Sequence, residues 1–187
     1  VHNNTLHNFG NGTAGAMNMI DLLQVNNTNI TNNSITWDLN GTGDDSSSGF
    51  YMVFGSNIIV QNNVFRSDAD NTLGITTLGY GVWFDNNNFT LSGDNGMGAL
   101  IVDDTVDTNF TNNNFTISHE SGIGVYLLFA GALTTPPDNN TFINNTIKAG
   151  NWSFKDANSA GYLSKIYYEN FFGSINWSNA RPDTKTN

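Results

Sequence analysis

The chain repeats one short pattern along most of its length: an apolar residue, any residue, two asparagines, any residue and a second apolar residue. The pattern is clearest at 84–89, 110–115 and 142–147. Seven copies occur, and the last, at 167–172, is degenerate because Glu replaces the first asparagine. The second asparagines are Asn4, Asn33, Asn63, Asn87, Asn113, Asn145 and Asn170. They recur on average about every 28 residues, a period typical of a solenoid, a propeller or another repeat array.

Between the doublets, most intervals contain a glycine followed by alternating apolar residues, which predicts short strands. These segments are 49–54, 79–84, 96–102, 122–129 and 161–163. Helix is disfavoured, because Asn, Ser, Thr and Gly all weaken or compete with helical backbone. Propeller blades need roughly 40 residues per repeat, and leucine-rich repeats need leucines at fixed offsets. A coil of three short strands per repeat therefore fits best.

The asparagine doublets and glycine-led strands resemble the repeats of right-handed parallel β-helix proteins. The likeness is to the Asn-rich kind found in pectate-lyase-like folds and in adhesin-like surface proteins of archaea and bacteria. It covers residues 1–173 and implies an all-β, single-stranded right-handed parallel β-helix of about seven coils. Residues 174–187 are then a polar C-terminal tail. This fold hosts lyases, hydrolases, tailspikes and passive stalks, so function needs separate arguments.

Stacked coils repeat about every 4.8 Å, so the seven second asparagines are expected above one another as a ladder at one corner. Asparagine tolerates the left-handed backbone region, so one member of each pair can make the sharp corner while its amide bonds to neighbouring coils. Seven coils correspond to a rod of roughly 34 Å.

Charge excludes several classes of partner. The chain has 16 acidic residues against 6 Lys plus Arg, a net charge of −10. Nucleic acids and anionic membrane surfaces need a concentrated positive field, so neither is an expected partner. No apolar run approaches the length of about 18 residues that a membrane span needs. The chain has no cysteine, which excludes disulfides and thiolate chemistry, and nothing in it indicates a cofactor.

Catalysis is not expected. The resemblance implies that a lyase would use calcium-binding aspartates and a basic residue, and Arg66 and Arg181 are the two arginines. The paired acids Asp103 and Asp104 are interpreted as strand neighbours that point to opposite faces, which general acid–base chemistry cannot use. The alternative is a carbohydrate-active enzyme or sugar-binding module. It would gain support if the tryptophans lined one outer face: Trp37, Trp83, Trp152 and Trp177.

No metal site is predicted, because the three histidines are scattered along the chain. Acidic groups can bind Ca²⁺ through oxygen ligands, although solvated acidic loops are the simpler interpretation. The groups are Asp44–Asp45, Asp68–Asp70 and Asp103–Asp104 with Asp107.

Thirteen Asn-x-Ser/Thr sequons favour N-glycosylation of an exported, extracellular or cell-surface protein. A corner ladder would bury many of the doublet asparagines, so modification is expected mainly elsewhere. The predicted sites are Asn3, Asn11, Asn26, Asn29, Asn40, Asn109, Asn139, Asn151 and Asn176.

The open ends of a solenoid must be capped or paired. Residues 1–147 contain 13 acids and one base, whereas residues 148–187 contain five bases and three acids. This asymmetry favours end-to-end self-association into a filament or sheath. A stretch of a longer adhesin stalk and a trimeric fibre remain alternatives.

Overall fold

In the computed structural model, the protein is a right-handed parallel β-solenoid of about five turns. The structure describes residues 1–9, 18–38, 47–128, 137–156, 167–172, 176–177 and 185–186. Every strand pair in these residues is parallel, and they contain no helix. The predicted all-β parallel β-helix is confirmed.

Seventeen strands form the described part of the solenoid. They are β1 (Thr5–Phe9), β2 (Asn18–Leu23), β3 (Asn26–Thr31), β4 (Ser34–Asp38), β5 (Ser47–Gln61), β6 (Val64–Ser67), β7 (Thr72–Asp85), β8 (Asn88–Leu91), β9 (Met97–Ile101), β10 (Asn109–Thr111), β11 (Asn114–Ile117), β12 (Ile123–Leu127), β13 (Thr141–Ala149), β14 (Trp152–Asp156), β15 (Tyr167–Phe172), β16 (Asn176–Trp177) and β17 (Lys185–Thr186).

The strands of successive turns stack to form three faces. Face 1 contains the whole of β2, β9, β12 and β14, together with the first halves of β5 and β7. Face 2 contains β3, the second halves of β5 and β7, β10 and the first part of β13. Face 3 contains β1, β4, β6, β8, β11 and the last part of β13. Each turn runs from face 1 to face 2, through the asparagine doublet, to face 3.

The turn count corrects the expected seven coils to about five. Five intervals separate the six doublets from Asn4 to Asn145, and each interval is one turn. The first and seventh doublets belong to turns that the structure describes only in part. Five turns correspond to about 24 Å of solenoid axis rather than roughly 34 Å.

The degenerate last repeat is one residue shorter than its neighbour. Tyr168 pairs with Phe142 and Phe172 with Ile147, and the register shifts between these pairs. Asn170 alone therefore stands opposite the two residues of the preceding doublet. The segment 174–187, for which the sequence predicts a polar tail, contains β16 and β17, which pair with β14 and β15.

The two asparagines of each doublet have different roles. The first has a left-handed backbone with φ between 53° and 57°, and it faces solvent. These corner residues are Asn3, Asn32, Asn62, Asn86, Asn112 and Asn144. Asparagine is among the few residues with a Cβ that adopt this region readily, so it can turn the chain between faces 2 and 3.

The second asparagine of each doublet points inward and bonds to its equivalents in the adjacent turns. In Asn87, the backbone N–H donates to Asn113 Oδ1 at 2.9 Å and Nδ2 donates to the same oxygen at 3.0 Å. The other Nδ2 proton goes to the Val60 carbonyl of the preceding turn at 2.8 Å. The Oδ1 of Asn87 in turn accepts two hydrogen bonds from Asn63, one from its backbone N–H and one from its Nδ2. One side chain thus connects three turns.

The same bonds recur along a row, called here the asparagine row: Asn4, Asn33, Asn63, Asn87, Asn113 and Asn145. All except Asn4, at the end, are almost fully buried. A buried amide without partners is costly, so this repeated satisfaction lets a polar side chain occupy the interior.

The apolar residues that flank each doublet form ring stacks in the core. On face 2, Phe84, Phe110 and Phe142 lie with ring centroids 4.8 and 4.6 Å apart and nearly parallel. On face 3, Phe65, Phe89 and Phe115 stack at 4.7 and 4.8 Å. These distances match the spacing of the strands, so the backbone register brings the rings into contact.

A second left-handed row, not foreseen from the sequence, forms the corner between faces 1 and 2. Its members are Asn27, Asn57, Gly81, Asp107 and Asn139, with φ between 52° and 61°. Each lies six residues before the second asparagine of its turn. All three residue types tolerate positive φ, which explains the composition of the row.

We predict that Asn87→Ala lowers the free energy of unfolding by about 3 kcal/mol or more. The change leaves the Asn63 backbone N–H and one Asn63 Nδ2 proton without their acceptor, and each buried unsatisfied group costs about 1–3 kcal/mol. The matched control is Asn88→Ala, on the outer surface, where one hydrogen bond from Asn114 is lost. The control is expected to cost less than about 1 kcal/mol. Urea unfolding of both variants measures the difference, and equal losses would refute this role of Asn87.

Candidate functional site

The tryptophans do not line one outer face. Trp37 is fully buried in the core, while Trp83 is half exposed on the outside of face 2. Trp152 is partly buried on face 1, and the side chain of Trp177 lies outside the described residues. Of the three described tryptophans, Trp83 alone is a candidate for contact with a ligand.

The indole of Trp83 is fixed across the neighbouring turn. Its Nε1 donates to Thr111 Oγ1 at 2.9 Å, and Thr111 belongs to β10 of the next turn. The ring therefore leans along the solenoid axis over β10. With half of the side chain exposed, the indole presents apolar surface to solvent while its polar atom is already satisfied.

A carboxylate beside the indole is held by donors from the two adjacent turns. Asp85, two residues after Trp83 on β7, accepts from the Thr111 hydroxyl at 2.8 Å and from Asn112 Nδ2 at 2.9 Å through Oδ1. Its Oδ2 accepts from Gln61 Nε2 at 2.9 Å. An ionised carboxylate has about four acceptor sites, and these contacts use three of them.

The hydrogen bonds keep Asp85 ionised. Partial burial by itself raises the pKa of this carboxyl, but the donors Asn112, Thr111 and Gln61 together outweigh it and lower the pKa below its usual value. The result is a fixed negative charge next to an exposed aromatic ring. This surface, consisting of Gln61, Trp83, Asp85, Asn109 and Thr111, is called the Trp83 platform below.

A Ser, a His and an Asp also meet at the turns between faces 3 and 1. Ser121 Oγ donates to Asp94 Oδ1 at 2.5 Å, and His119 Nδ1 lies 2.9 Å from Ser121 Oγ and 3.2 Å from Asp94 Oδ1. In a catalytic triad, the serine and the carboxylate bind opposite ring nitrogens. Here both contact Nδ1, so histidine cannot relay a proton from one to the other.

This contact lowers the pKa of Asp94. The Ser121 hydroxyl is the main cause, and a backbone bond with Asn95 and the His119 charge add to it against a smaller opposing effect of desolvation. Asp94 also donates its backbone N–H to Asp70 Oδ1 at 2.8 Å. The hydrogen bonds of Asp94 therefore connect three successive turns at the corner between faces 3 and 1.

The interpretation of Asp103 and Asp104 as strand neighbours is wrong. Both lie in a turn after β9, and both are buried, with relative exposures of 1% and 8%. Asp104 has φ of 55°, and Thr105 N–H bonds to the Val102 carbonyl, so the strand ends before these residues. Alternation along a strand therefore cannot be used to place their side chains.

The other acidic groups do not converge. Asp68 and Asp70 are exposed in the turn after β6, and Asp107 is exposed at the corner between faces 1 and 2. Asp44 and Asp45 lie outside the described residues. Within the part of the chain that the structure describes, no three His, Asp or Glu side chains are arranged to hold a metal ion.

Arg66 points outward from face 3, between Thr36 and Thr90 of the adjacent turns. No carboxylate in the described ranges lies within ion-pair distance of its guanidinium. Arg181 lies outside the described residues. The arginine that a lyase-type reaction would need is therefore not seen next to an acid.

The candidate glycosylation sites differ in accessibility. Asn3, Asn26, Asn29 and Asn139 are exposed, whereas Asn109 and Asn151 are partly buried. Asn11 and Asn40 lie outside the described residues, as does the side chain of Asn176. The amide nitrogen of Asn139 already donates to Asp107 Oδ1. Ser153, the third residue of the Asn151 sequon, is fully buried.

Comparisons with known proteins return no relative. No family model matches the chain, and neither a curated protein nor a solved structure does so. Among the residues described by the structure, no helix has the length and hydrophobicity needed to cross a membrane.

We predict that Asp85 contributes stability at neutral pH that is lost on acidification. Because its folded pKa is lowered, the contribution is complete above the unfolded pKa of about 3.9 and disappears as the pH falls through the folded value. Thr111→Val removes one donor and is expected to raise the Asp85 pKa toward its ordinary value. Carboxyl ¹³C NMR titration measures the change. Thr90→Val on face 3 is the control, and an Asp85 pKa that Thr111→Val leaves unmoved would contradict the prediction.

Proposed function

We propose that the protein is a non-catalytic structural protein of the cell exterior: a filament, sheath or adhesin-stalk subunit of the Asn-rich β-helix kind. The observation that supports this most is the continuous asparagine row, which fastens each turn to the next from Asn4 to Asn145. Backbone hydrogen bonds and ring stacks run in the same direction. A rod held along its axis by three parallel sets of contacts is suited to spacing and to resisting proteolysis.

End-to-end association is part of the proposal. At one end of the row, Asn4 donates to Asn33, but its own Oδ1 receives no donor from the described residues. In every other rung that oxygen accepts two protons from the preceding turn. Any turn stacked on Asn4 could supply those donors, and the charge asymmetry supports a turn from a second copy, since its more basic segment 148–187 would meet the acidic body.

The assembly prediction is a rod-like particle longer than one subunit, visible by negative-stain electron microscopy of the full chain. Asn4→Leu is expected to shorten or abolish the fibres, because it removes the acceptor at the end of the row. Asn62→Gly, on the exposed corner, keeps the left-handed backbone favourable. It is the matched control and is expected to leave the fibres unchanged. Raised salt should weaken the charge component. Monodisperse single subunits of the unmodified chain would contradict the proposal, and a threefold-symmetric particle would favour a trimeric fibre.

Glycosylation is the second part of the proposal. Asn3 and Asn29 are exposed and make no side-chain hydrogen bond within the described residues, so a bulky glycan can be accommodated at either. We predict an intact mass above the 20.4 kDa of the bare chain after secretion from a glycosylating host, and the loss of one glycan in Asn29→Gln. A bare mass in the unmodified chain would contradict this part alone.

The alternative is a carbohydrate-active enzyme, which needs two carboxylates about 5–10 Å apart at the reacting bond. Asp85 and Asp94 are each held by hydrogen bonds to neighbouring turns, and they lie at different corners. Neither is in an environment that raises its pKa for use as an acid. Polysaccharide cleavage, measured with and without calcium, would favour the enzyme and contradict the structural role.

A further inference from the structure

The Trp83 platform contains a complete glycosylation sequon. Asn109 is the direct register partner of Trp83, and Thr111 is the partner of Asp85. Asn109, Phe110 and Thr111 form the sequon, and because β10 alternates, Phe110 is buried while the two flanking side chains point outward. The acceptor amide therefore emerges about one strand spacing, roughly 4.8 Å, from the backbone of Trp83.

The indole is already positioned to receive a sugar at this point. Its bond to Thr111 holds it over β10, so it lies beside the Asn109 side chain with apolar surface exposed. The side-chain amide of Asn109 makes no hydrogen bond within the described residues. A pyranose linked to Asn109 can therefore cover the ring with its apolar C–H side and direct its hydroxyls toward the Asp85 carboxylate.

The size of the exposed surface favours an attached sugar over a free ligand. Half of an indole is on the order of 100 Å². Before the entropic cost of association is included, contact over that area corresponds to a dissociation constant on the order of 10 mM for a free sugar, so actual binding would be weaker. A sugar that is already bonded to Asn109 avoids the entropic cost of association and has a high effective concentration. A protein partner would need about 800 Å² on each side, far more than this surface offers.

We infer that Asn109 is a glycosylation site whose first sugar packs on the Trp83 indole and hydrogen-bonds to Asp85. This inference rests on the proposed glycosylation and adds a structural role for one glycan. The sugar would cover exposed apolar surface on face 2 and connect β7 to β10 outside the core. Glycosylation at this position then stabilises the solenoid as well as shielding it.

The experiment is a double-mutant cycle on the full chain, made both in a glycosylating secretory host and in a bacterial host that attaches no glycan. The variants are Asn109→Gln, Trp83→Ala and the double mutant. Peptide mass spectrometry gives the occupancy of Asn109, and urea unfolding gives the folding equilibrium constant. In the glycosylated protein we expect each single change to lower that constant, with a coupling of about tenfold. In the unglycosylated protein we expect a coupling within about twofold.

The matched control is Asn29→Gln in the same cycle with Trp83→Ala. Asn29 occupies the same outward position two turns away, opposite Ile59, and should show no coupling to Trp83. Occupied sites elsewhere with Asn109 unmodified would overturn the inference and leave the proposed glycosylation intact. No occupied site at all would overturn both. An occupied Asn109 that behaves additively with Trp83 would overturn the packing.

Discussion

The structure depends on the hydrogen bonds of the second asparagine of each doublet, whose buried side-chain amide has a partner for every donor and for its acceptor. An amide offers two donor protons and an acceptor oxygen, and in the asparagine row each of these is used, as Asn87 shows. One proton goes to the carbonyl of the turn before, the other goes to the amide of the turn after, and the oxygen receives two protons from the turn before. Since each bond requires neighbouring turns to be about 3 Å apart at these atoms, the row determines both the spacing and the register of the turns.

Much of the remaining architecture follows from that register. Once equivalent residues are one strand spacing apart, the phenylalanines on either side of the doublets must stack, and their centroid distances of 4.6 to 4.8 Å show that they do. The position of the left-handed corner between faces 1 and 2 is equally constant: it lies six residues before the row asparagine in every turn from Asn27 to Asn139. From Asn27 to Asn145, variation in repeat length lies in the rest of the turn, where face 3 returns to face 1 and where face 1 leads to face 2. The surface features, including the Trp83 platform, are added to this regular frame.

Sequence reasoning reached the fold because the strongest signal, the doublet, is itself the structural determinant. It overestimated the number of turns, which is about five, because each doublet marks one corner and turns are counted by the intervals between corners. The outward direction of Trp83 was within reach: Phe84 is the inward apolar residue of its motif, so its neighbour on the strand must point out. The grouping of Gln61, Asp85 and Thr111 was within reach for the same reason, because each is the second residue of its motif and stacked doublets bring these positions into register.

The misplacement of Asp103 and Asp104 shows the limit of the repeat pattern. The strand interpretation extended an apolar run through Val102, whereas the chain makes an additional turn there with Asp104 in the left-handed region. Insertions between faces 1 and 2 follow no repeat, so local composition has to predict them alone. Function is separated from the sequence by a further step, because one β-solenoid fold can serve many functions and the outer residues determine which of them it has.

Side-chain amide hydrogen exchange, followed by NMR on the ¹⁵N-labelled protein, tests the central claim most directly. If the asparagine row holds the turns together, the Nδ2 protons of Asn63, Asn87 and Asn113 should exchange only through global unfolding, as slowly as the best-protected backbone amides. The Nδ2 protons of the exposed corner residue Asn86 should exchange much faster. Rapid exchange of the row protons in a folded chain would contradict the account.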